Sequence, residues 1–341
     1  MDKLMDAANR LPARSHGGAD GQGVPLHDFS SNSNACGPCP QALAAVQQAD
    51  ASAYPDPDYS SLRGQLAAFH GVPVHRVLLA GSASEFIFRV TSLAAQRAGA
   101  AVCLPPYSYG DYAQAARAWK LPVVAEPAQA QLRWACDPSS PLGAAQAGLN
   151  QLADARALCV LDRAYEPLRL GDAMALHAET LRLFWQLWTP NKALGLTGVR
   201  AAYVLAPAGS EDAVAQLESL APSWPVGAHG VAMLQAWTLP AVQAWLAGSL
   251  VSLREWKARQ IALCESLGWA CLPSEANFFC ARPAVPQGIS LTQALAQLRL
   301  QGIKLRDTTS FGLPGHVRLS VMPPAAQDAL AAAWSVFCAS N

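Results

Sequence analysis

"FWQLWTPNKALGLTGVRAAYVLA", residues 184–206, sets one lysine between an aromatic run and an apolar strand. Lys192 is one of five lysines in the chain, and Gly195 and Gly198 separate it from Arg200. These glycines predict a turn rather than a regular helix. An amine beside apolar walls becomes a better nucleophile, and the planar donor fork of an arginine suits a phosphate group. By itself, however, the stretch favours a simpler interpretation, a surface lysine on a loop.

The composition of the chain predicts a large core and few charged partners. A length of 341 residues predicts two domains, or one large domain with an appendage. Apolar residues make up 52% and charged residues 14%, so part of the charge-poor surface is expected to lie against another subunit. The 24 basic and 24 acidic residues balance, which gives no indication of nucleic acid or an anionic membrane as partner.

The nine cysteines and the absence of a signal peptide predict reduced thiols in the cytoplasm. No apolar run is long enough for a membrane span. The "CGPC" stretch at 36–39 has the spacing of a redox pair, but it follows a polar loop instead of a strand. It also lacks a second Cys/His pair for a zinc site. We therefore interpret it as a turn that enters a helix.

The chain alternates between strand and helix patterns. The predicted strands cover residues 75–81, 100–106, 157–165 and 198–206, and the predicted helices cover residues 39–50, 61–71, 82–96 and 111–120. This alternation predicts an α/β fold with a mainly parallel sheet covered on both faces. In such sheets ligands bind beyond the carboxyl ends of the strands.

The last third of the chain predicts a smaller α+β unit. Its helices are expected near 240–267 and 291–301, and its strands near 277–283 and 317–321. We therefore divide the chain into an N-terminal arm (1–30), a large domain (31–230) and a small C-terminal domain (231–341).

Two strand ends carry candidate site residues. In "LLAGSASEF" (78–86) a strand runs through small residues into a helix, which is typical either of a phosphate-binding turn or of an ordinary serine-capped helix. In "VLDRAYEP" (160–167) Asp162 falls at the end of a buried strand. A carboxylate there needs a partner, which could be a protonated ring nitrogen or, locally, a helix N-terminus or Arg163.

Taken together, these motifs resemble those of the fold-type I pyridoxal-phosphate enzymes, in the aminotransferase class I/II group. The similarity runs from about residue 27 to the C-terminus and is strongest with the histidinol-phosphate aminotransferase and threonine-phosphate decarboxylase branch. The stretches that carry it are "DFSSNSNACGP", "AYPDPDYSSLRGQLAAFHGV", "LLAGSASE", "LPPYSYGDY", "DPSSPLG", "LDRAY", "TPNKALGLTGVR", "GIKLRD" and "HVRLSV". The resemblance implies a three-layer α/β/α large domain, a smaller α+β domain and a homodimer.

The resemblance also implies roles for individual residues. Lys192 would form a Schiff base with pyridoxal 5'-phosphate and move the substrate Cα proton, Asp162 would pair with the pyridine nitrogen, and Tyr165 would hydrogen-bond the ring hydroxyl oxygen. Further cofactor contacts would come from Ser82, Ala83, Ser84, Tyr109, Ser140, Thr189 and Arg200, and from Tyr54 across the dimer interface. Arg318 and Asn34 would bind the substrate.

Four residues depart from the family pattern. Ser82 stands where the phosphate turn of the family usually has a glycine, although Gly81 comes one position earlier. Ser140 stands where the family has an asparagine, Arg163 where it has an acidic residue, and Asn191 where it has a hydroxyl residue. The leading functional hypothesis is an aminotransferase that moves an amino group between an amino acid or amino phosphate and a keto acid. The alternatives are a threonine-phosphate-type decarboxylase of cobalamin synthesis and a non-catalytic cofactor-binding relative.

Overall fold

A seven-stranded sheet forms the centre of the chain, for which the computed structural model describes residues 16–172, 174 and 176–340. Its strands are β2 Val77–Ala80, β3 Val102–Cys103, β4 Val123–Val124, β5 Leu132–Cys136, β6 Leu158–Asp162, β7 Trp185–Trp188 and β8 Ala202–Leu205. They lie in the order β2-β8-β7-β6-β5-β3-β4. All neighbours pair in parallel except those of β8, which is antiparallel to both β2 and β7. The carboxyl ends of the six remaining strands therefore meet at one edge.

Helices cover both faces of this sheet. In the large domain they are α1 Pro40–Gln47, α2 Ser60–His70, α3 Ala83–Ala95, α4 Gly110–Ala118, α5 Leu149–Leu152, α6 Ala178–Leu181, α7 Glu211–Ser219 and α8 Ala228–Trp237. Successive residues of a strand point to opposite faces. Accordingly, Val77 and Leu79 pack in the core with α1, α2 and α8, while Leu78 and Ala80 pack in the core with α3, α4 and α7. This is the predicted three-layer arrangement.

A smaller antiparallel sheet organises the C-terminal part. Its strands, in the order β12-β13-β10-β9, are β9 Ala270–Cys271, β10 Phe278–Arg282, β12 Arg306–Asp307 and β13 Val317–Ser320. The helices of this part are α9 Pro240–Ser266, α10 Leu291–Leu300 and α11 Pro324–Ala339. Phe279, Leu319 and Trp334 belong to the core that these elements share. The predicted α/β fold with a smaller α+β unit is confirmed.

The N-terminal segment is attached to the small sheet region. Strand β1 His27–Asp28 pairs in parallel with β11 Ile303–Lys304. The Asp20 carboxylate forms ion pairs of 2.9 Å with both Arg299 and Lys304. Residues 1–15 of the predicted arm lie outside the described residues, and the domain boundaries at residues 30 and 230 stay predictions.

Most predicted elements are confirmed, with shifts of a few residues at their ends. Gly71, predicted to close a helix, is the left-handed residue after α2, with a φ of 63°. The "CGPC" stretch is a turn that enters α1 at Pro40, as expected. Strands β4, β5 and β7, helices α5 to α8 and α11, and the antiparallel direction of β8 were not predicted. Among the described residues, no helix is both long and apolar enough to cross a membrane.

Candidate active site

The candidate site lies at the carboxyl edge of the seven-stranded sheet. Asp162 is the last residue of β6, Thr189 follows β7, and Ser82 lies in the turn after β2. Arg200 precedes β8, whose opposite direction brings its amino end to the same edge. The sheet topology thus gathers residues that are up to 118 positions apart in the chain, from Ser82 to Arg200.

Asp162 is a buried carboxylate with two internal donors. Its Oδ2 accepts a hydrogen bond of 2.7 Å from the Tyr112 hydroxyl, and its Oδ1 accepts one of 2.9 Å from the Ala164 amide. Burial raises the pKa of Asp162, while these two hydrogen bonds and the charge of Lys192 lower it. Because each carboxylate oxygen has two acceptor positions, both oxygens can still accept another donor.

Lys192 lies in a turn that faces Asp162 and Tyr165. Its Nζ is 5.4 Å from the centre of the Tyr165 ring. Within the described parts of the chain, no hydrogen bond or ion pair engages this ammonium group. The Tyr165 hydroxyl accepts a hydrogen bond of 3.2 Å from Asn32 Nδ2, so its own proton remains available to another acceptor. Asn32 is a site residue that the sequence analysis missed.

The turn around Lys192 is fixed by the segment that contains Asn34. The Asn34 amide N–H donates to the Lys192 carbonyl at 2.9 Å, and Gly195 has a φ of +68° and would carry a Cβ only 2.6 Å from the Gly37 carbonyl. Gly195 is therefore required both by its conformation and by the close approach. Asn191 donates to the carbonyls of Thr197 and Val199, at 3.4 and 3.3 Å. The predicted turn is confirmed, and the hydrogen bonds of the Asn191 side chain stabilise it.

The side chain of Asn34 itself is used within the protein. Its Nδ2 donates to the carbonyl of Ala193 at 3.0 Å and to the hydroxyl of Ser249 at 2.8 Å, and its Oδ1 accepts from the Cys36 amide. Both amide hydrogens are thereby engaged. The structure does not bring a free donor of Asn34 to the other site residues, and its role in substrate binding stays a prediction.

The turn after β2 has the form of an anion cradle. Ser82 caps α3, since its hydroxyl accepts from the Glu85 amide at 3.1 Å. The next amides, of Ala83 and Ser84, open the helix and have no acceptor within it. The Tyr109 hydroxyl lies 3.4 Å from Ser84 Oγ, and burial raises the pKa of Tyr109 well above its usual range, so it stays neutral. The interpretation as a serine-capped helix is confirmed, and the phosphate site stays a prediction.

Arg200 and Tyr54 lie on the outer side of this turn. Arg200 is exposed and lines a pocket of about 360 Å³ with Gly227 at the start of α8. Tyr54 is 78% exposed and stacks on Trp224 with ring centres 4.4 Å apart. Trp224 adjoins Pro225, whose carbonyl would lie 2.8 Å from any Cβ at Gly81. The exposed aromatic pair is thus adjacent to the turn after β2.

Arg318 comes from β13 of the small sheet and enters the site from the other side. It donates to the Ser140 hydroxyl at 3.4 Å and to the Ser30 carbonyl at 3.2 Å, and its Nε is buried without a partner. Its guanidinium lies 5.5 Å from the Phe311 ring, and Arg306 lies 4.8 Å from the same ring. Burial, and then the charge of Arg318, lowers the pKa of Arg306 to about 10. Arg306 and Arg318 lie against the same ring, and two neighbouring cations favour an anionic ligand.

Arg163, the unexpected neighbour of Asp162, points away from the site. Its guanidinium lies 4.3 Å from the Trp188 ring and donates to Gln186 at 2.9 Å and to Glu166 at 3.1 Å. Successive residues at a strand end face opposite sides of the sheet. The basic residue therefore belongs to the packing behind the sheet and does not compete for the Asp162 carboxylate.

A buried ion-pair network supports the loops that carry the site. Arg169 pairs with Glu166 at 2.9 Å and also with Asp137 and Glu275. Asp137 precedes the loop of Ser140, and Glu275 precedes β10 of the small sheet. The Arg169 guanidinium thus connects the loops that follow β5 and β6 of the large sheet to the segment that precedes β10 of the small sheet.

Similar sequences and structures are found among aminotransferases. The sequence model of a family described as "Aminotransferase class I and II" matches residues 24–333. The histidinol-phosphate aminotransferase of Jannaschia sp. is 29% identical over 320 residues, which are 87% of each chain. The structure of histidinol-phosphate aminotransferase from Sinorhizobium meliloti in complex with pyridoxal-5'-phosphate has a TM-score of 0.75 at 22% identity, covering 99% of this chain and 94% of that one. The L-threonine-O-3-phosphate decarboxylase of Porphyromonas gingivalis has a TM-score of 0.74 at 19% identity, covering 91% and 99%. At these identities both structures establish the fold alone.

Proposed function

The chain belongs to the aminotransferase class I and II family, a family that depends on pyridoxal phosphate, and from this premise we propose that Lys192 is its catalytic residue. The reaction moves an amino group between an amino acid or amino phosphate and a keto acid. The observation that carries the proposal is the juxtaposition of an unengaged lysine, a buried carboxylate and a tyrosine hydroxyl at one edge of the sheet.

The polar groups of the site fit pyridoxal phosphate. Asp162 offers open acceptor positions for a protonated ring nitrogen, and the Tyr165 hydroxyl offers a proton to the ring hydroxyl oxygen. The amides of Ala83 and Ser84 suit the phosphate group. Thr189 Oγ1 is buried without a hydrogen-bond partner, so it can supply another phosphate contact without breaking an existing bond. When bound, the cofactor supplies an aldehyde that reacts reversibly with amines and a ring that accepts the electron pair released at the substrate Cα.

The protein's own residues then divide the remaining work. We assign to the Lys192 amine the removal and return of the substrate Cα proton, since it is the lysine that lies beside Tyr165 and acts electrostatically on Asp162. Asp162 supplies a fixed negative charge in a buried setting, where electrostatic stabilisation is strong. Tyr165, held by Asn32 and packed against Phe278 with ring centres 4.7 Å apart, orients its hydroxyl.

The arginines favour a substrate with a phosphate or a second carboxylate. Arg318 is 7% exposed and retains an unpartnered Nε. Its planar fork can bind an oxyanion through two hydrogen bonds. Arg306 adds a second cation, which lies 4.8 Å from the centre of the Phe311 ring that Arg318 also contacts. An amino phosphate carries such an anionic group. Histidinol phosphate, which appears in the name of the similar enzymes, is one example.

A second candidate is decarboxylation of a threonine-phosphate-type substrate. The N-terminal segment covers the site: the His16 ring is 6.4 Å from that of Tyr109, and the Gly18 amide donates to Ser30 Oγ at 2.9 Å. The Ser30 carbonyl in turn accepts from Arg318. This cover favours a compact substrate whose anionic groups lie close to its Cα. An amino-acid phosphate is such a substrate.

We also propose a homodimer in which Tyr54 reaches the partner's site. Its 78% exposure in a single chain and its stacking on the exposed Trp224 give an apolar surface next to the turn after β2. A second copy would cover these rings. Sedimentation of the purified protein should give twice the mass of one chain, and a monomer at micromolar concentration would contradict this part of the proposal.

One experiment separates the two reactions. The purified protein, loaded with pyridoxal phosphate, is incubated with histidinol phosphate or threonine phosphate, each with and without 2-oxoglutarate, and the products are identified by mass spectrometry. Glutamate formed from an amino phosphate only in the presence of the keto acid supports the aminotransferase. Carbon dioxide released without a keto acid supports the decarboxylase. Cofactor binding without either product, over a wide panel of amino acids, would support a non-catalytic relative.

A further inference from the structure

Tyr112 lies beside Asp162 of the candidate site and is enclosed by neighbouring aromatic rings. It is on α4, it is 0% exposed, and its ring stacks on Trp134 of β5 with centres 4.2 Å apart and an angle of 11° between the rings. The Tyr109 ring contacts it edge-on at 5.8 Å. A ring confined on both sides holds its hydroxyl at one position.

That hydroxyl is one of two donors to Asp162. Its hydrogen bond to Oδ2 is 2.7 Å long, and the Ala164 amide donates to Oδ1 at 2.9 Å. Hydrogen bonds to an ionised acceptor are roughly twice as strong as those between neutral groups. The Ala164 amide belongs to the backbone, so Tyr112 is the side chain that fixes the second oxygen.

We propose that Tyr112 is a positioning residue that holds the Asp162 carboxylate ionised and in one orientation for pairing with the ring nitrogen of the cofactor. The inference rests on the proposed function, because it assigns to Asp162 the task that the function requires. The inference also goes beyond the proposed function, because it concerns a residue that does not touch the reacting atoms. Tyr112 is fully buried and reaches no open surface.

The physical reason is the balance of forces on a buried carboxylate. Burial raises the pKa of Asp162, and the Tyr112 hydroxyl is the first of the groups that oppose this change. Without it, one oxygen keeps no internal donor, and the neutral acid becomes more favourable. A neutral carboxyl group does not stabilise a protonated ring nitrogen, so cofactor affinity and ring protonation should both fall.

The test replaces only the hydroxyl group. Tyr112→Phe keeps the stacked ring, and Tyr203→Phe is the matched control, because Tyr203 is also 0% exposed and its hydroxyl also makes hydrogen bonds, to Trp237 and His70. Apoprotein of each variant is titrated with pyridoxal phosphate, and the ¹⁵N shift of the labelled ring nitrogen is followed against pH. Tyr112→Phe should bind the cofactor about 10- to 100-fold more weakly, as for loss of one hydrogen bond to a charged group. The ring nitrogen should lose its proton at a pH lower by about one unit or more.

Two outcomes would overturn the inference while leaving the proposed function intact. One is wild-type affinity and an unchanged ring-nitrogen titration in Tyr112→Phe, as expected for Tyr203→Phe. The other outcome concerns Tyr112→Phe made in the Asp162→Asn variant, which has no charge at residue 162. There, loss of the Tyr112 hydroxyl should change the affinity for pyridoxal phosphate by less than about twofold. A loss of about tenfold would show that Tyr112 acts by a route other than the Asp162 carboxylate. Wild-type protein that binds no cofactor would instead contradict the proposed function itself.

Discussion

Replacing Asp162 by asparagine removes one charge from the candidate site and little else. Asp162 is 5% exposed, and its Oδ1 can keep the Ala164 hydrogen bond when it becomes an amide oxygen. The amide nitrogen would then face the Tyr112 hydroxyl oxygen, which can accept in place of donating. The variant therefore preserves shape and hydrogen bonding while it removes the negative charge.

The expected effect on the rate is large. Two opposite unit charges about 4 Å apart interact by about 4 kcal/mol at an effective dielectric constant of about 20. At about 1.4 kcal/mol for each tenfold, this corresponds to roughly three decades in the rate of Cα proton removal. The free energy of unfolding should rise or stay unchanged, because the folded state no longer buries an anion.

The assay is a single-turnover half-reaction with excess amino donor, followed by the absorbance of the bound cofactor, with a thermal unfolding curve of the same sample. The expected result is a rate lower by about 10³ and an unfolding midpoint no lower than that of the wild type. A variant that retains a rate within tenfold of wild type would refute the role of Asp162. Loss of rate together with a lowered midpoint would show that the substitution acted through folding.

Three further predictions concern two arginines and a partly buried histidine. Arg318→Lys keeps the charge but loses the planar fork, so KM for the anionic substrate should rise about 10- to 100-fold, with Arg259→Lys unchanged as control, in steady-state assays. His70 has its pKa lowered from 6.5 to about 4, by burial and then by Arg163. Below about pH 6.5 the unfolded chain therefore binds a proton that the folded chain does not bind until about pH 4. As the pH falls from about 6.5 to about 4, the free energy of unfolding should therefore decrease by about 3 kcal/mol. Urea unfolding at several pH values should show a smaller pH dependence for His70→Gln than for the wild type. Arg169→Met leaves Asp137 and Glu275 without their cation, while Glu166 keeps Arg163, and it should lower the free energy of unfolding by about 3–5 kcal/mol. Arg259→Met, which breaks an exposed pair, should lower it by less than about 1 kcal/mol, and equal losses would contradict the network.

Part of the fold follows from local patterns and part does not. The alternation of apolar strands and amphipathic helices predicts the layers, because burial on both faces requires it. Strand β5 was missed because "LRWAC" contains a basic residue. Arg133 is buried there with an ion pair of 3.1 Å to Asp154 and hydrogen bonds to the carbonyls of Ala130 and Leu152. The direction of β8 was missed because an apolar strand has the same periodicity in either direction.

The site shows the same division. Lys192, Asp162 and Tyr165 belong to motifs with a fixed order in the chain, so a family pattern identifies them. Asn32 and Tyr112 act on residues 133 and 50 positions away, and only the folded chain shows those contacts. The spacing of "YGDY" does place Tyr112 one helical turn after Tyr109, a signal that could have marked it.

The central claim is that Lys192 carries the cofactor, and its most direct test is chemical. Protein loaded with pyridoxal phosphate is reduced with borohydride, digested and analysed by peptide mass spectrometry. The chain has five lysines, so each candidate lies on its own peptide. We predict the mass of the reduced cofactor on the peptide that contains Lys192, and its absence in Lys192→Ala. The reduced cofactor on another lysine, or on none, would contradict the account.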